Sequence, residues 1–398
     1  MAKTKDTPVI DITDTTTEVV ETAATKAAKA KLAGEAKVAK EERMKRLYAP
    51  ATTKKTIALM EKMHRAFPKV STLGIASRSI SHSIAVPTGS AMLDWGMGSR
   101  GLLQNKIIEL YGPPSQGKTL LSLQMIVKQQ RAGKTCAYID AERSHDEAST
   151  QAWMTQQGVD IDNLIYIRDT AERCMDMVHF LVEDPDVGII VIDSIASLVL
   201  DKVVFKDDMG KERVRSLANL MPTFLGKFNV LTKGATLVLI NQVRASFGAQ
   251  GLGGYVIYDT PGGWALKHYA HVRMEVRGSQ LTDKVGEDNV MIGLEMTVRI
   301  VKNKLSTPRK KCTIRYYWAT GLDWVDEVAA LALKHNLITQ SGAWYSYSGP
   351  GFNIKANGMD AYINSILETP LCHEPLYKAI LDARTDVVET PLYEGEAE

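Results

Sequence analysis

The chain is poor in cysteine and in long apolar runs. Its 398 residues include four cysteines, all far apart, and none forms a CxxC pair. This spacing argues against a structural zinc site, and so few thiols suit a reducing compartment. The longest apolar run, residues 187–200, is interrupted by Asp193 and is too short to span a bilayer. Because no signal-peptide pattern is visible either, we expect a cytoplasmic protein with no membrane partner.

An excess of charge of one sign is also missing. Forty-eight Lys and Arg residues face 46 Asp and Glu residues, which leaves a formal net charge of +2. This balance excludes a histone-like polycation and an acidic chaperone tail protein, and by itself predicts no partner. The length corresponds to two or three ordinary domains. Function must therefore be inferred from individual motifs.

Composition and periodicity divide the chain into five segments. Residues 1–50 are rich in Ala, Thr, Lys and Glu without an apolar stripe, which predicts a flexible or partly helical extension, with a DNA-attracting arm as the alternative. Residues 51–84 hold a predicted helix with one apolar face and a linker, and this helix either packs on the core of its own chain or docks on a neighbouring subunit. Residues 85–320 form the predicted core, 321–385 a small mixed domain and 386–398 an acidic tail. The apolar residues of the predicted helix recur at helical spacing: Ile57, Met60, Met63 and Phe67.

The core segment has the pattern of an α/β fold. Short apolar runs alternate with helical stretches, at residues 118–131 and 215–231 among others. Continuous apolar strands between helices predict a mainly parallel central sheet covered on both faces. The expected buried strands are residues 106–111, 135–140, 164–167, 188–192 and 236–240. Three later runs, at residues 271–277, 293–302 and 312–317, predict antiparallel additions to that sheet.

A phosphate-binding loop is the most specific motif. One segment fits the pattern G-x-x-x-x-G-K-[ST], and it lies between a predicted strand and a predicted helix. Its glycines let backbone N–H groups point at phosphates, its lysine adds a positive charge, and its threonine can bind Mg²⁺. We therefore predict an ATP and Mg²⁺ site here. The residues are Gly112, Pro113, Pro114, Ser115, Gln116, Gly117, Lys118 and Thr119.

Three acidic residues end two other apolar strands. Asp193 closes the run GIIVID, as a Walker B carboxylate would, and we predict that it shares the metal with Thr119. The segment YIDAE ends with Asp140 and Glu142 at the edge where open α/β sheets bind ligands. Glu142 is our candidate to orient the attacking water. The alternative for each is a helix-capping role.

Two polar segments follow two further strand ends. Gln242 ends LINQ and is a candidate sensor of the γ-phosphate, or else satisfies backbone groups there. Residues 243–263 contain six glycines with interleaved aromatic and basic side chains, and residues 201–215 carry five Lys and Arg residues. Such loops suit single-stranded nucleic acid, although a charged run is usually a solvated face. The DNA-binding candidates are Lys206, Lys211, Arg213, Arg215, Arg244, Phe247, Tyr255, Tyr258, Gly262 and Gly263.

Nine ordered segments resemble the RecA family of homologous-recombination ATPases, over about residues 55–357. They are PTGSAMLDWGMG, IIELYGPPSQGKT, GKTCAYIDAE, GVDIDNL, VIDSIASL, LINQVR, PGGWALKHYAHVR, VRIVKNKLSTP and GAWYSYSG. The resemblance implies a RecA-type core, an N-terminal polymerisation helix, and a small α+β C-terminal domain that captures duplex DNA. It implies an ATPase that forms helical filaments on single-stranded DNA and pairs it with a homologous duplex.

The resemblance also implies roles for particular residues. It makes Glu142 the catalytic base, Gln242 the ATP-sensing switch and Lys118 a catalytic lysine. Lys302 and Lys304 match a pair that reaches the γ-phosphate of a neighbouring subunit, whereas their pattern alone indicates an exposed basic strand end. The two polar segments match the family's DNA-binding loops, and the acidic tail its autoinhibitory C-terminus. Asp146 and Trp318 fall at the nucleotide base.

The chain departs from the family pattern at several positions. The first 50 residues are an unusually long extension, and about four extra residues lie between Asp146 and Gly158. Trp153 is the candidate to stack on the base there. His268 replaces an aromatic residue in the segment GGWALKHYA. Three other classes stay open: a hexameric helicase or repair accessory ATPase, a small-molecule P-loop kinase and a non-catalytic filament scaffold.

Overall fold

A computed structural model describes residues 54–68, 84–143, 147–201, 212–250, 256–285, 288–349 and 351–383. The chain forms two units, Met1–Ser81 and His82–Glu398. In the first unit, the predicted helix is present as α1, Lys54–Ala66. The side chain of Met60 is buried and that of Ile57 is half-buried, whereas Phe67, just beyond the helix, is exposed. The predicted extension 1–50 and the acidic tail 386–398 lie outside the described residues.

The second unit contains all the other described elements. Its strands are β1 Ala85–Val86, β2 Leu102–Leu103, β3 Ile107–Gly112, β4 Thr135–Asp140, β5 Leu164–Ile167, β6 Val187–Asp193, β7 Thr236–Gln242, β8 Arg244–Gln250, β9 Val256–Asp259, β10 Val272–Val285, β11 Asp288–Asn303, β12 Lys311–Tyr317, β13 Gly321–Leu322, β14 Thr339–Ser341, β15 Trp344–Gly349 and β16 Phe352–Asn357. Its helices are α2 Ala91–Met97, α3 Lys118–Arg131, α4 Glu147–Gln156, α5 Ala171–Leu181, α6 Glu212–Leu231, α7 Gly263–Tyr269, α8 Trp324–Lys334, α9 Met359–Leu367 and α10 His373–Asp382.

A nine-stranded sheet is the centre of the unit. Its order is β13-β12-β11-β10-β3-β7-β6-β4-β5. The six strands from β10 to β5 are joined by parallel pairings, and β11, β12 and β13 add antiparallel strands at one side. The predicted α/β class with a mainly parallel core is therefore confirmed. The strands bear apolar residues on both faces because helices cover each face.

Alternate residues of each central strand pack into separate cores. On β6, Ile189 and Val191 join the core beneath α3, whereas Ile190 and Ile192 join the core beneath α5 and α6. This alternation follows from the two-residue period of a strand. Both faces of β6 are therefore dry, and its polar chemistry is confined to its carboxyl end at Asp193.

The residues after β13 build a smaller layer around a third core. Helices α8, α9 and α10 pack with the antiparallel sheet β14-β15-β16. Tyr362 of α9 and Leu376 of α10 are fully buried in it. Ala91 and Trp95 of α2 belong to the same core, so this layer is packed directly onto the helix that precedes the central sheet.

Two segments expected to be loops are partly regular. Within residues 243–263, β8 and β9 pair as a separate antiparallel ribbon, because the interleaved aromatic and β-branched residues favour strand pairing. Helix α6 begins at Glu212, so the C-terminal part of the charged segment 201–215 is helical. The prediction of an irregular loop was wrong at these positions. Within the described part of the chain, no helix is long and apolar enough to cross a membrane.

Candidate nucleotide-binding site

Four parallel strands deliver polar residues to one edge of the sheet. Gly112 at the end of β3 pairs with Gln242 at the end of β7, and Asp140 at the end of β4 pairs with Asp193 at the end of β6. Most residues of these strands before this point are apolar, with buried Glu109 of β3 as an exception, so the side chains that reach the pocket come from the strand ends. Parallel register thus brings together residues that lie up to 130 positions apart in the sequence, such as Gly112 and Gln242.

The phosphate-binding loop joins β3 to α3 by a turn that needs glycine at two positions. A Cβ on Gly112 would overlap the carbonyl oxygen of Val276 in β10. Gly117 has a φ of 87°, in the left-handed region, and a Cβ there would overlap the side chain of Met296. These two glycines therefore let the loop pass close to the antiparallel strands before α3 begins at Lys118.

Lys118 lies at the floor of this loop. Its Nζ donates to the carbonyl oxygens of Pro113, at 2.6 Å, and of Gly112, at 3.2 Å. Burial lowers the pKa of the ammonium group, while the carboxylates of Asp193 and Glu142 act in the opposite direction. A buried ammonium held only by carbonyl dipoles gains strongly from a phosphate placed nearby.

Thr119 and Asp193 form the predicted metal pair. Thr119 Oγ1 donates to Asp193 Oδ2 at 2.6 Å, and the hydroxyl of Tyr138 donates to the same oxygen at 3.0 Å. Burial raises the pKa of Asp193 to about 6, the Glu142 charge adds to the rise, and the two hydroxyl donors oppose it. A buried carboxylate beside a hydroxyl supplies the hard oxygen ligands that Mg²⁺ takes in such sites. The residues therefore fit this ion.

Glu142 and Asp140 have different partners. Glu142 Oε1 accepts from Gln242 Nε2 at 2.6 Å and from the Ser194 hydroxyl at 3.0 Å, both neutral donors. Asp140 is held by Arg168, by the Tyr166 hydroxyl and by a backbone N–H. Burial alone would raise the pKa of Asp140, but these donors outweigh it and lower the value. Asp140 is thus neutralised by its ion pair with Arg168, whereas the hydrogen-bond donors to Glu142 described above are both neutral.

A pocket of about 380 Å³ opens over these groups. Its lining includes residues 115–119 of the phosphate-binding loop, Asp193 and Glu142, and also the indole side chains of Trp153 and Trp318. Trp318 is 40% exposed, which leaves part of its ring available for stacking. The Thr150 hydroxyl also lines the pocket and is buried without a hydrogen-bond partner. The size of the pocket and the combination of a phosphate-binding loop with aromatic side chains suit a nucleotide.

A sequence model of the RecA N-terminal domain matches residues 52–323 of this chain. A Protein RecA from Acinetobacter baylyi is 33% identical over 313 residues, which cover 77% of this chain and 85% of that protein. A Protein RecA from Teredinibacter turnerae is 33% identical over 331 residues, which cover 81% of this chain and 92% of that protein. The chain belongs to the RecA family. The predicted membership in this family of recombination and repair ATPases is therefore confirmed.

The RecA-type lysine pair lies away from this pocket. Lys302 Nζ donates to the carbonyl oxygens of Lys267, at 2.6 Å, and His268, at 3.0 Å, and Lys304 Nζ donates to His268 at 2.9 Å. Both lysines thus cap the C-terminal end of α7, and neither is among the described residues that line the pocket. Burial, together with the neighbouring Lys304 charge, lowers the pKa of Lys302.

The predicted DNA-binding residues are only partly described. Gly262 and Gly263 have φ values of 94° and 69° and begin α7. Arg213 and Arg215 lie on the first turns of α6, and Arg244, Phe247 and Tyr258 lie on the β8–β9 ribbon, whose side chains are outside the described part. Lys206, Lys211 and Tyr255 lie outside the described residues altogether, as does Asp146 among the predicted nucleotide contacts.

Several site residues of this RecA-family chain escaped the sequence reasoning. Tyr138 and Ser194 hold the two carboxylates, and Thr150 lines the pocket. Ser194 carried a signal, since it directly follows the Walker B aspartate at a strand end. Tyr138 resembles any aromatic core residue of a strand, and only the parallel pairing of β4 with β6 brings it to Asp193.

Proposed function

We propose that this protein is a DNA-dependent ATPase that forms helical filaments on single-stranded DNA and catalyses homologous pairing and strand exchange. The proposal includes the division inferred from the sequence: an extension (1–50), an oligomerisation helix with a linker (51–84), an ATPase core (85–320), a DNA-capturing domain (321–385) and an acidic tail (386–398). Single-stranded DNA, duplex DNA and further copies of the chain are the proposed partners, and the cytoplasm is the proposed location.

One observation carries the proposal. The side chain of Gln242 donates a hydrogen bond to Glu142 at 2.6 Å. Two residues later, Arg244 begins the β8–β9 ribbon of the glycine-rich segment 243–263. A group positioned to sense the nucleotide is therefore covalently continuous with the segment proposed to bind DNA. A small-molecule kinase has no need of such a link. This continuity favours an enzyme whose hydrolysis and DNA binding affect each other.

The proposed reaction assigns a task to each group at the pocket. The loop N–H groups and Lys118 bind and orient the phosphates, and Thr119 with Asp193 would hold Mg²⁺, which when bound neutralises charge developing on the phosphates. Glu142 orients the attacking water and accepts its proton. Ser194 and Gln242 hold the Glu142 carboxylate in place by the two hydrogen bonds already described. Trp153, Trp318 and Asp146 are the proposed contacts of the base.

The lysine pair is proposed to act on the nucleotide of an adjacent subunit. The support is that Lys302 and Lys304 are held together at the C-terminal end of α7, the helix that directly follows the proposed DNA-binding segment. Hydrolysis would then require assembly, because each pocket is completed by the neighbouring copy. The proposed polymerisation helix α1 would supply a second contact between copies, through apolar residues such as Phe67, which is 58% exposed.

The first experiment measures ATP hydrolysis with and without single-stranded DNA. We expect hydrolysis to rise when DNA is added, and electron micrographs with an ATP analogue and DNA to show helical filaments. Hydrolysis that ignores DNA would contradict the proposal and favour a small-molecule kinase. Closed rings would favour a hexameric helicase.

A mixing experiment tests the shared site. Lys302→Ala subunits keep Glu142 and Glu142→Ala subunits keep Lys302, so a mixed assembly contains interfaces with both groups intact. We expect the mixture to hydrolyse more ATP than either variant alone. Without such complementation, Lys302 would act within its own subunit or not at all.

A further inference from the structure

Behind the pocket, a buried polar network connects the proposed nucleotide sensor with the proposed DNA-binding segment. Its centre is Asn241, on β7 immediately before Gln242, with none of its side chain exposed. An aliphatic residue would suit this position in a buried parallel strand, since every preceding residue of β7 from Leu237 to Ile240 is aliphatic. A buried amide here therefore needs an explanation in its contacts.

The Asn241 side chain makes three hydrogen bonds in three directions. Its Nδ2 donates to the Glu109 carboxylate at 3.1 Å and to the carbonyl oxygen of Pro261 at 2.8 Å. Its Oδ1 accepts the backbone N–H of Gln242 at 3.0 Å. Glu109 as a carboxylate and the Pro261 carbonyl can only accept, which determines the orientation of the amide. Asparagine satisfies this combination of two donors and one acceptor.

The Pro261 contact reaches the end of the glycine-rich segment. Pro261 is followed by Gly262, which caps α7 with a φ of 94°. Trp264 of α7 is 74% exposed, and Lys267 lies 4.9 Å from its ring centre. The carbonyl oxygens at the far end of α7 are those bound by Lys302 and Lys304. Asn241 thus attaches the beginning of α7 to the strand that carries Gln242.

The Glu109 contact extends the network to Arg273, on the strand beside that of the lysine pair. Glu109 is fully buried and forms an ion pair with Arg273 of β10, which also stacks 4.8 Å from the ring centre of Tyr111. Arg273 is paired in register with Lys302 on β11. A buried carboxylate with one cation and one amide donor has little freedom to reorient. Glu109 therefore restrains the Asn241 amide, and the same Nδ2 group of Asn241 also donates to the carbonyl oxygen of Pro261.

We propose that Asn241 is a positioning residue that transmits a displacement of Gln242 to Pro261 and α7. The inference rests on the proposed function, because it assumes that Gln242 responds to the nucleotide. The backbone N–H of Gln242 and the carbonyl oxygen of Pro261 are bonded to the same planar amide, so neither can shift alone without breaking a buried hydrogen bond. Asn241 itself is not among the described residues that line the pocket.

The test follows α7 directly, by fluorine NMR of protein labelled with 5-fluorotryptophan. The Trp264 resonance is assigned from its absence in a Trp264→Phe variant, and a non-hydrolysable ATP analogue is then added. In the wild type we expect the Trp264 resonance to shift. In Asn241→Asp, which keeps the acceptor but loses both donors, we expect analogue affinity to change by less than about twofold and the Trp264 shift to disappear.

A double variant separates coupling from folding. In Asn241→Asp with Glu109→Gln, the new amide at 109 can donate to the new carboxylate at 241 and its oxygen can still accept from Arg273, so the network again holds one carboxylate and one cation, as in the wild type. The Pro261 carbonyl still lacks its donor. We expect this variant to recover the thermal stability that the single variant loses, and still to show no Trp264 shift. A recovered shift would overturn the role assigned to the Pro261 bond.

Thr236→Val is the matched control on the same strand. It removes a buried hydrogen bond to the Leu103 carbonyl oxygen at the opposite end of β7, and we expect a wild-type Trp264 shift. A shift retained in Asn241→Asp, or absent from the wild type, would overturn the inference.

Stimulation of hydrolysis by DNA is measured separately, and we expect Asn241→Asp to lower this stimulation at least about tenfold. A wild type whose Trp264 shifts but whose hydrolysis ignores DNA would reject the proposed function and keep the coupling.

Discussion

Buried carboxyl groups occur in two regions of the second unit, the nucleotide pocket and the junction between α2 and the C-terminal layer. In the pocket, burial raises the pKa of Asp193 to about 6. At the junction, burial raises the pKa of Asp94 to about 6 and that of Glu327 to about 8. Perturbed acidity alone therefore does not distinguish a site for chemistry from a structural contact.

The partners of these groups make the distinction. At the junction, Ser90 Oγ donates to both Glu327 oxygens, at 3.0 and 2.8 Å, and the Met92 N–H donates to one of them. Tyr377 of α10 donates to Asp94 at 2.6 Å. These bonds join α8 and α10 to the beginning of α2, which is how a packed layer is held in one orientation. At the pocket, by contrast, Asp193 lines an open cavity together with the phosphate-binding loop and Lys118.

The largest expected effect is on the pocket, from Lys118→Ala. Removing the buried cation takes away a phosphate ligand, and we expect ATP hydrolysis to fall roughly 1,000-fold. Steady-state kinetics measure the loss of hydrolysis, and binding of a fluorescent ATP analogue measures the loss of affinity. Lys378→Ala, an exposed lysine on α10, is the control and should behave as the wild type. Full activity in Lys118→Ala would contradict the proposal that this pocket binds and hydrolyses ATP.

Glu142→Gln separates binding from hydrolysis within the pocket. The amide keeps an oxygen that can accept from Ser194 and Gln242, but it cannot accept a proton from water. We expect ATP affinity within about twofold of the wild type and hydrolysis lower by roughly 100-fold. Asp140→Asn provides the contrast, since it disrupts the ion pair with Arg168, and we expect its main effect on thermal stability. A larger loss of hydrolysis in Asp140→Asn than in Glu142→Gln would exchange the two assignments.

The junction predicts a dependence of stability on pH instead. The folded-state pKa of Glu327 is raised above the ordinary value of 4.5, so its contribution is fully present below that value and is lost as pH rises through about 8. Between pH 6 and 8 we expect the free energy of unfolding of the wild type to fall by roughly 2 kcal/mol more than that of Glu327→Gln. Chemical denaturation at several pH values measures this. Parallel pH profiles for the two proteins would contradict the assignment.

The smallest effect is expected from Tyr377→Phe. The change leaves buried Asp94 with one donor fewer, and we expect destabilisation of about 1 kcal/mol in chemical denaturation, the net contribution of a typical hydrogen bond. Because the residue lies at the junction, ATP hydrolysis at a temperature where both proteins are folded should be unchanged. Tyr345→Phe, on β15, is the control aromatic hydroxyl. A loss of hydrolysis in folded Tyr377→Phe would show that the two regions are not independent.

The sequence predicted most of the central sheet and the core of the site. Helix α3 and strand β4 have the bounds expected from periodicity, because a buried strand and a helix after a glycine-rich turn leave strong patterns. Strand β5 also has the expected bounds, but the expectation that it is buried was wrong, because it is the edge strand of the sheet and exposes Ile165 and Tyr166. The β8–β9 ribbon was missed, because six glycines in that segment outweighed its pairing residues. The extent of β10 and β11 was also underestimated, since the ends that extend beyond the predicted bounds lack a buried face and therefore leave no regular apolar pattern.

By itself, the sequence determined the candidates for the chemistry: the phosphate-binding loop, Asp193 at the end of β6 and the acidic residues at and after the end of β4 are short local patterns with a direct chemical meaning. Only the tertiary structure decided which of them meet. Parallel pairing brings Gln242 within hydrogen-bond distance of Glu142 and lets Asp140 form an ion pair with Arg168. It also places the Asn241 side chain where it binds both Glu109 and Pro261. These contacts depend on strand order and register, which are set by packing between residues distant in the sequence.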